Sequence, residues 1–312
     1  MRVLVTGVTG FVGRHVLDDL HGAGYEALGF DLEPPPGLAA DRFAAGYLRD
    51  PASVENAVRR LNPDACIHLG GIAFVPTGWS YPHLVFEVNL VGTIHLLESF
   101  RRFAPSARLL VVSSAEVYGQ TGGDGAIAED APLTPSNLYA VAKAAADASA
   151  RLHAQRYGMP VMTARPQNHI GPGQSPLFVT SSFAEQIARI AAGTAEPVLR
   201  VGNLDSERDF TDVRDVARAY RLLIEKGRAG EAYNIASGRR VRIREVLDQL
   251  CAAARVRPAV ETDPGLFRPA DRPRLLNTEK ILLDTGWRAQ IPLPRTLSDI
   301  LADARARLAG SH

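Results

Sequence analysis

Short apolar runs alternate with longer mixed stretches through the first half of the chain, and the alternation predicts strand, helix, strand. "RVLVT" (2–6) is a buried-strand run that meets a glycine-rich turn. Residues 11–23 read as a helix and "EALGF" (26–30) as the next strand. "RDPASVENAVRRL" opens a helix with Asp50 placed to cap it and Pro51 at the first helical position. "ACIHL" (65–69) and "RLLVVSS" (108–114) are further buried runs, separated by a long helix near 83–103. A second long helix follows near 136–156, then the strand "PVMTAR" (160–165). Strands that alternate with helices predict a parallel sheet with right-handed crossovers and helices on both faces. The fold class is α/β, a doubly wound parallel sheet.

After Arg165 the texture changes. Pro and Gly gather in "RPQNHIGPGQSP" and again in "DPGLFRPADRPRL", which read as binding loops. "EAYNIAS" (231–237) reads as a strand that rejoins the sheet, and helices follow near 242–254 and 295–308. The expected division is a nucleotide-binding domain over 1–167, with 203–236 rejoining it. A smaller α/β lobe takes 168–202 and 237–312.

The chain has 312 residues, a formal net charge of +1 and 46% hydrophobic composition. A near-neutral charge gives no general attraction to nucleic acid or to membranes. No apolar run approaches the ~18 residues that span a bilayer. "MRVLVTG" lacks a signal-peptide layout. Cys66 and Cys251 support neither a disulfide framework nor a thiolate zinc site, and the eight histidines form no H-x-H or H-E-x-x-H pattern. The expectation is a cytoplasmic protein without a metal.

Three stretches carry candidate chemistry. "VTGVTGFVG" puts Gly7, Gly10 and Gly13 between the first strand and the first helix, which Phe11 and Val12 open. Missing side chains allow a tight turn and a close approach to a pyrophosphate, and the helix N-terminus offers N–H groups to its charge. A glycine triplet alone is weak; its strand-before, helix-after setting makes it specific. Asp31 ends the second strand, where a carboxylate meets ribose hydroxyls and repels a 2′-phosphate. Leu32, Glu33 and Pro34 follow, with no arginine among them, so NAD(H) is favoured and NADP(H) stays open. A loop aspartate that caps its own backbone is the alternative.

"NLYAVAK" sets Tyr139 and Lys143 four residues apart inside an alanine-rich helix, about one turn and roughly 6 Å apart on one face. By itself this is an exposed tyrosine and a solvated lysine. "VVSSAEVYG" delivers Ser113, Ser114 and Glu116 to the C-terminal end of a sheet strand, where ligands bind. A lysine ammonium beside Tyr139 favours its phenolate, and the tyrosine then exchanges a proton with a carbonyl or hydroxyl oxygen. Ser114 donates a hydrogen bond to the same oxygen.

The glycine turn, Ser114, Tyr139 and Lys143, with "HLGGIA" and "YAVAK", resemble the extended short-chain dehydrogenase/reductases that act on nucleotide sugars, over nearly the whole chain. The resemblance implies a Rossmann domain. It implies Gly7, Gly10 and Gly13 on the pyrophosphate, Asp31 on the ribose, Leu48 by the adenine and Gly70 in the cofactor channel. Ser114, Tyr139 and Lys143 form its catalytic set, and Lys143 also holds the nicotinamide ribose. "RPQNHIGPGQSPLFV", "LRVGNLDSERDFTDVRD" and "FRPADRP" look most like reductases of GDP-4-keto-6-deoxy-D-mannose, whose product is GDP-D-rhamnose. That likeness places Asn168, Arg208 and Arg268 on the sugar diphosphate, Asp271 on the nucleotide ribose and the backbone through Val179 against guanine. An arginine fork suits phosphate oxygens, although most arginines are surface residues. Glu116 stands where related 4,6-dehydratases keep an acid/base glutamate, so dehydration is the runner-up, with 4-epimerisation third. A coenzyme-binding sensor on the same fold is the non-enzyme alternative. The family further implies a homodimer through a four-helix contact made by the helix near 83–103 and the tyrosine helix.

Overall fold

The computed structural model of the chain describes residues 1–119, 125–267 and 275–310. They fall into two compact units. One is drawn from Met1–Gln167, Val216–Ile235 and Leu276–Arg288; the other from Asn168–Asp215, Ala236–Leu275 and Ala289–His312.

In chain order, β1 (Arg2–Thr6) turns into α1 (Phe11–Gly22), and β2 (Glu26–Asp31) and a short β3 (Phe43–Ala45) follow. α2 (Pro51–Leu61) begins as its sequence dictates, with the Asp50 carboxylate accepting from the Ala52 N–H at 3.0 Å and Pro51 in the first turn. After β4 (Ala65–His68) come a single turn, α3 (Thr77–Ser80), and then the helix expected near 83–103. That helix is not uniform. α4 (Pro82–Phe86), a π-helical turn at Glu87–Val91 and α5 (Gly92–Phe103) run end to end. β5 (Arg108–Val112) leads to α6 (Leu138–Tyr157), whose Asn137 cap accepts from the Ala140 N–H at 2.8 Å. β6 (Val161–Pro166) follows. The remaining elements are β7 (Asn168–Ile170), α7 (Val179–Ala191), β8 (Val198–Val201), β9 (Glu207–Asp212), α8 (Val213–Lys226) and β10 (Ala232–Ile235). They end with β11 (Arg240–Arg242), α9 (Ile243–Ala254), β12 (Ala259–Thr262), α10 (Glu279–Thr285) and α11 (Leu293–Ala309).

In the first unit seven strands form one sheet, ordered β3-β2-β1-β4-β5-β6-β10, with every pair parallel. This is the doubly wound arrangement the alternation predicts. All residues of β4 and β6 are buried, which is why these strands read as unbroken runs. The order reverses between β1 and β4, which makes that point the ligand crevice of such a sheet. Thr6 stands opposite both Phe30 and His68, and His68 opposite Val111, so the strand ends line up along the crevice. A core of Leu28, Val54, Val58, Leu61, Leu97, Phe100 and Leu109 fills the space between this sheet and α2 and α5. Each such side chain contributes about 2 kcal/mol on burial.

The second unit has a three-stranded sheet, β11-β9-β7, and a parallel pair, β8 with β12. α7, α9 and α11 cover a core that includes Phe183, Ile187, Val246, Leu250, Leu297 and Ile300. Residues 203–215 lie in this unit and not, as expected, with the first. The reason is that β9 pairs with both β7 and β11. Residues 276–288, expected in the smaller lobe, lie in the first unit.

Candidate active site

The turn after β1 is shaped by what its glycines lack. Gly7 sits at φ +69°, and its N–H donates to the Phe30 carbonyl at 3.0 Å. A Cβ on Gly7 would stand 2.8 Å from Gly70 Cα, so the loops after β1 and β4 press together at the crevice. A Cβ on Gly13 would stand 2.5 Å from the carbonyl oxygens of both Gly7 and Val8, so only glycine lets α1 seat against the turn. Gly10 caps α1 without a side-chain acceptor, and Phe11 and Val12 make its first turn. This is a cradle that fits a dinucleotide pyrophosphate.

Beneath the crevice runs a buried hydrogen-bonded chain. The Gly70 N–H donates to Thr6 Oγ1 at 3.0 Å, and Thr6 Oγ1 lies 2.7 Å from His68 Nδ1. His68 Nε2 lies 3.0 Å from Thr93 Oγ1, whose hydroxyl donates to the Asn89 carbonyl at 2.8 Å. Because the Thr93 proton is used there, Thr93 accepts from His68 Nε2–H, and Nδ1 accepts from Thr6. Burial, with Lys143 nearby, lowers the His68 imidazole to about 3, so it is neutral. Asn89, in the π-helical turn, accepts from the Ile72 N–H at 2.7 Å and donates to the Ile72 carbonyl at 3.0 Å. It thus holds the loop that follows β4.

Four of the expected chemical residues gather at the start of α6. Ser114 follows β5 and accepts from the Glu116 N–H at 3.2 Å, opening a 3₁₀ turn over Ala115–Tyr118. Glu116 in turn accepts from Asn137 Nδ2, the cap residue of α6, at 3.4 Å. Burial pushes the Tyr139 phenol up to about 12, the hydrogen bond with Ser114 pulls it down, and the Glu116 charge adds to the rise. Lys143 is 7% exposed and donates to the Val112 carbonyl at 2.8 Å; burial lowers its ammonium to about 8. Burial sets the direction of the Tyr139 shift, and the Lys143 ammonium is directed at a strand carbonyl. Ser113 ties β5 to the same helix, donating to the Lys143 carbonyl at 3.3 Å.

Asp31 does more than end its strand. Its carboxylate accepts from the Thr9 N–H at 3.0 Å, from the Thr9 hydroxyl at 2.7 Å and from the Leu32 N–H at 2.8 Å. A depression of about 440 Å³ opens beside it, lined by Thr9, Arg14, Asp31, Leu32, Glu33 and the prolines 34–36. Arg14 projects there from the first turn of α1, a cation that the residues following Asp31 do not reveal. Leu48 packs beside Gly70: a Cβ on that glycine would stand 2.6 Å from Leu48 Cδ1.

Residues 4–300 match the family model for GDP-mannose 4,6 dehydratase. The chain is 38% identical over 309 residues to a GDP-6-deoxy-D-mannose reductase of Pseudomonas aeruginosa, covering 98% of each. It belongs to the GDP-mannose 4,6-dehydratase family. Members are NAD(P)-dependent oxidoreductases of the extended short-chain type, and this chain is one of them. RMD from Pseudomonas aeruginosa complexed with NADPH superposes with a TM-score of 0.87 at 36% identity, covering 98% of this chain and 99% of that one. The Thermus thermophilus UDP-glucose 4-epimerase complex with NAD superposes with a TM-score of 0.86 at 31% identity, again over 98% and 99%.

For this family member the substrate-side expectations fall in the second unit. Asn168 is exposed on β7, opposite Phe210 of β9. Arg208 lies two residues before Phe210, so Asn168 and Arg208 share a face of that sheet. Arg208 Nη1 donates to the Glu207 carbonyl at 2.7 Å. Val179 opens α7 and is partly exposed. Arg268 and Asp271 lie outside the described residues. Besides Arg14, the sequence reading missed Asn89 and His68. A lone asparagine within the apolar stretch "FEVNLVG", and a histidine in the buried run "ACIHL", were the available signals.

Proposed function

We propose that the enzyme reduces the C4 ketone of GDP-4-keto-6-deoxy-D-mannose to GDP-D-rhamnose. The observation that carries this reading is the buried Tyr139 phenol, hydrogen-bonded to Ser114, with the buried Lys143 one turn along α6. The identity with a GDP-6-deoxy-D-mannose reductase over nearly the full length supports the choice of substrate.

The Gly7–Gly13 turn and the α1 N-terminus hold the pyrophosphate, Asp31 the adenosine ribose, Leu48 and Gly70 the adenine side of the channel, and Lys143 the nicotinamide ribose. The bound dinucleotide supplies a hydride. Tyr139 gives its proton to the C4 oxygen. Ser114 donates a hydrogen bond to that oxygen and steadies the charge that builds on it. Asn168, Arg208 and Arg268 bind the diphosphate, Asp271 the ribose of the nucleotide, and the backbone at Val179 the base. NADH is the preferred coenzyme because of Asp31, with NADPH admitted through Arg14.

Dehydration is the second reading, favoured by one feature: the Glu116 carboxylate is near enough to act on Tyr139. The enzyme works in the cytoplasm as a homodimer through α4–α5 and α6. Val141 at 37% and Leu152 at 61% exposure leave α6 an apolar outer face for that contact.

The test offers GDP-4-keto-6-deoxy-D-mannose with NADH or NADPH and identifies the product by NMR. GDP-D-rhamnose is expected. GDP-mannose with oxidised coenzyme alone is the parallel arm, and formation of a 4-keto sugar there would replace reduction by dehydration. Sedimentation at micromolar concentration reads the dimer.

A further inference from the structure

Among the described residues Arg165 is the largest fully buried side chain, 1% exposed near the end of β6. Its Nε and Nη2 donate to the two Asp147 carboxylate oxygens at 2.8 and 3.0 Å, a bidentate pair. Its Nη1 donates to the Tyr118 hydroxyl and to the Glu129 carbonyl, both at 2.8 Å. Tyr118 passes its own proton to Asn234 Oδ1 at 2.7 Å, and Asn234 Nδ2 donates to the carbonyls of Ile127 and Asn277 at 2.9 and 3.1 Å. Each of these polar groups is paired, in a region where an apolar filling of the same volume would hold the fold together at least as well. What the charged version adds is geometry.

That geometry connects two segments. Tyr118 closes the 3₁₀ turn that Ser114 opens. Asp147 stands two turns beyond Tyr139 on α6. We propose that Arg165 is a positioning residue: by gripping Tyr118 with one side of its guanidinium and Asp147 with the other, it fixes the Ser114 turn against the Tyr139 helix. Ser114 and Tyr139 act on one oxygen, so the distance between their hydroxyls must be set by something other than the substrate. The inference rests on the reading of Ser114 and Tyr139 as the acting pair.

Arg165→Met alone is a poor probe, since it takes the bidentate partner from the buried Asp147, leaves it Arg151 at 3.0 Å and threatens folding. Tyr118→Phe is the clean one. It cuts the link to the Ser114 turn and leaves the Arg165–Asp147 pair in place. Turnover of the GDP-4-keto sugar is compared in wild type, Tyr118→Phe, Ser114→Ala and the double variant. Tyr118→Phe is expected to lower kcat about tenfold, since small misplacements of reacting groups carry losses of this order or more, with coenzyme KM within about twofold. In the Ser114→Ala background the same change should alter kcat less than about twofold, because Tyr118 then has nothing to position. Equal losses in both backgrounds, or an unchanged kcat in Tyr118→Phe, overturn the proposal.

Amide hydrogen exchange gives a readout independent of the substrate assignment. Val117 and Gly119 donate to the Ser114 and Glu116 carbonyls at 3.2 and 3.1 Å. Tyr118→Phe should speed exchange at both about tenfold or more, with β1 unaffected. Unaltered protection at Val117 and Gly119 removes the clamp even if the wild type turns over no GDP sugar. An inactive wild type with faster exchange in the variant removes only the substrate reading.

Discussion

Lys143→Met removes a cation that the fold holds against its preference. Burial lowers this amine from 10.5 to about 8. At 1.36 kcal/mol per pH unit the gap is a penalty of about 3 kcal/mol on folding at neutral pH. Methionine fills a similar volume without charge. It also gives up the hydrogen bond to the Val112 carbonyl, worth about 1–2 kcal/mol. The balance is a coenzyme-free variant more stable than wild type by roughly 1–2 kcal/mol near pH 7, a rise of a few degrees in Tm for a chain of this size. The gain depends on pH. The folded chain releases this proton near pH 8 and the unfolded chain near 10.5. Between the two, the unfolded state holds more protons, so wild-type stability climbs with pH by up to about 1.4 kcal/mol per unit. The variant lacks that climb, and its advantage shrinks between about pH 8 and 9.5. Urea unfolding of both proteins at several pH values in this range measures the difference. Turnover should meanwhile fall by about 10² or more, since the proposed acid loses its neighbour. A variant that is less stable at pH 7, or an advantage that stays constant with pH, refutes the claim that the ammonium is disfavoured where it sits.

Tyr139→Phe should lower kcat by about 10² or more while coenzyme affinity, read by fluorescence titration, stays within about twofold; a near-normal rate removes Tyr139 as the proton donor. Gly13→Ala forces a Cβ onto two backbone oxygens at 2.5 Å, and coenzyme Kd should rise at least about tenfold, so an unchanged Kd would mean that the turn is softer than its geometry. Arg14→Ala should lower kcat/KM with NADPH by about tenfold and leave NADH within about twofold, whereas Asp31→Ser should favour NADPH; equal losses with both coenzymes in the Arg14 variant remove the phosphate assignment. The neutral His68 makes the fold acid-sensitive. Its imidazole takes a proton near 6.5 when unfolded and near 3 when folded, so wild-type stability falls with pH below 6.5 by up to about 1.4 kcal/mol per unit. In His68→Gln that part of the acid sensitivity should vanish when urea midpoints at about pH 5 and 7 are compared.

The first-unit sheet was legible because parallel strands covered on both faces are mostly apolar, and β1, β4, β5 and β6 announce themselves. β3, three residues of "FAA", was too short to carry a pattern. In the second unit, β7 (NHI) and β9 (ERDFTD) are mostly polar and sit in loop-like sequence, and nothing local tells which sheet they join. Tyr139 and Lys143 were found by their one-turn spacing, and Ser114 by its place at a strand end. The direction of the Tyr139 shift was not, because burial depends on neighbours distant in sequence. Arg14 escaped for a related reason: it lies 17 positions before Asp31 and meets it only when α1 packs beside β2. Asp147 hid among the alanines of α6, where a buried carboxylate is visible only once Arg165 is opposite.

The π-helical turn at Glu87–Val91 gives its helix one residue more than an α-helical path of that length requires. An α-helical residue advances the rotation by about 100°. Losing any one amino acid from this stretch would let the backbone relax into ordinary hydrogen bonding, and the local energy would improve. Because the lost residue is the one the wide turn absorbs, α4 and α5 would keep their rotational phase, whereas the same loss inside α5 would turn everything beyond it by about 100°. Thr93 would still meet His68, and the Asn89 tether to Ile72 would be the contact at stake. The surplus residue thus makes this stretch a place where a one-residue loss threatens one tether and not the alignment of the rod.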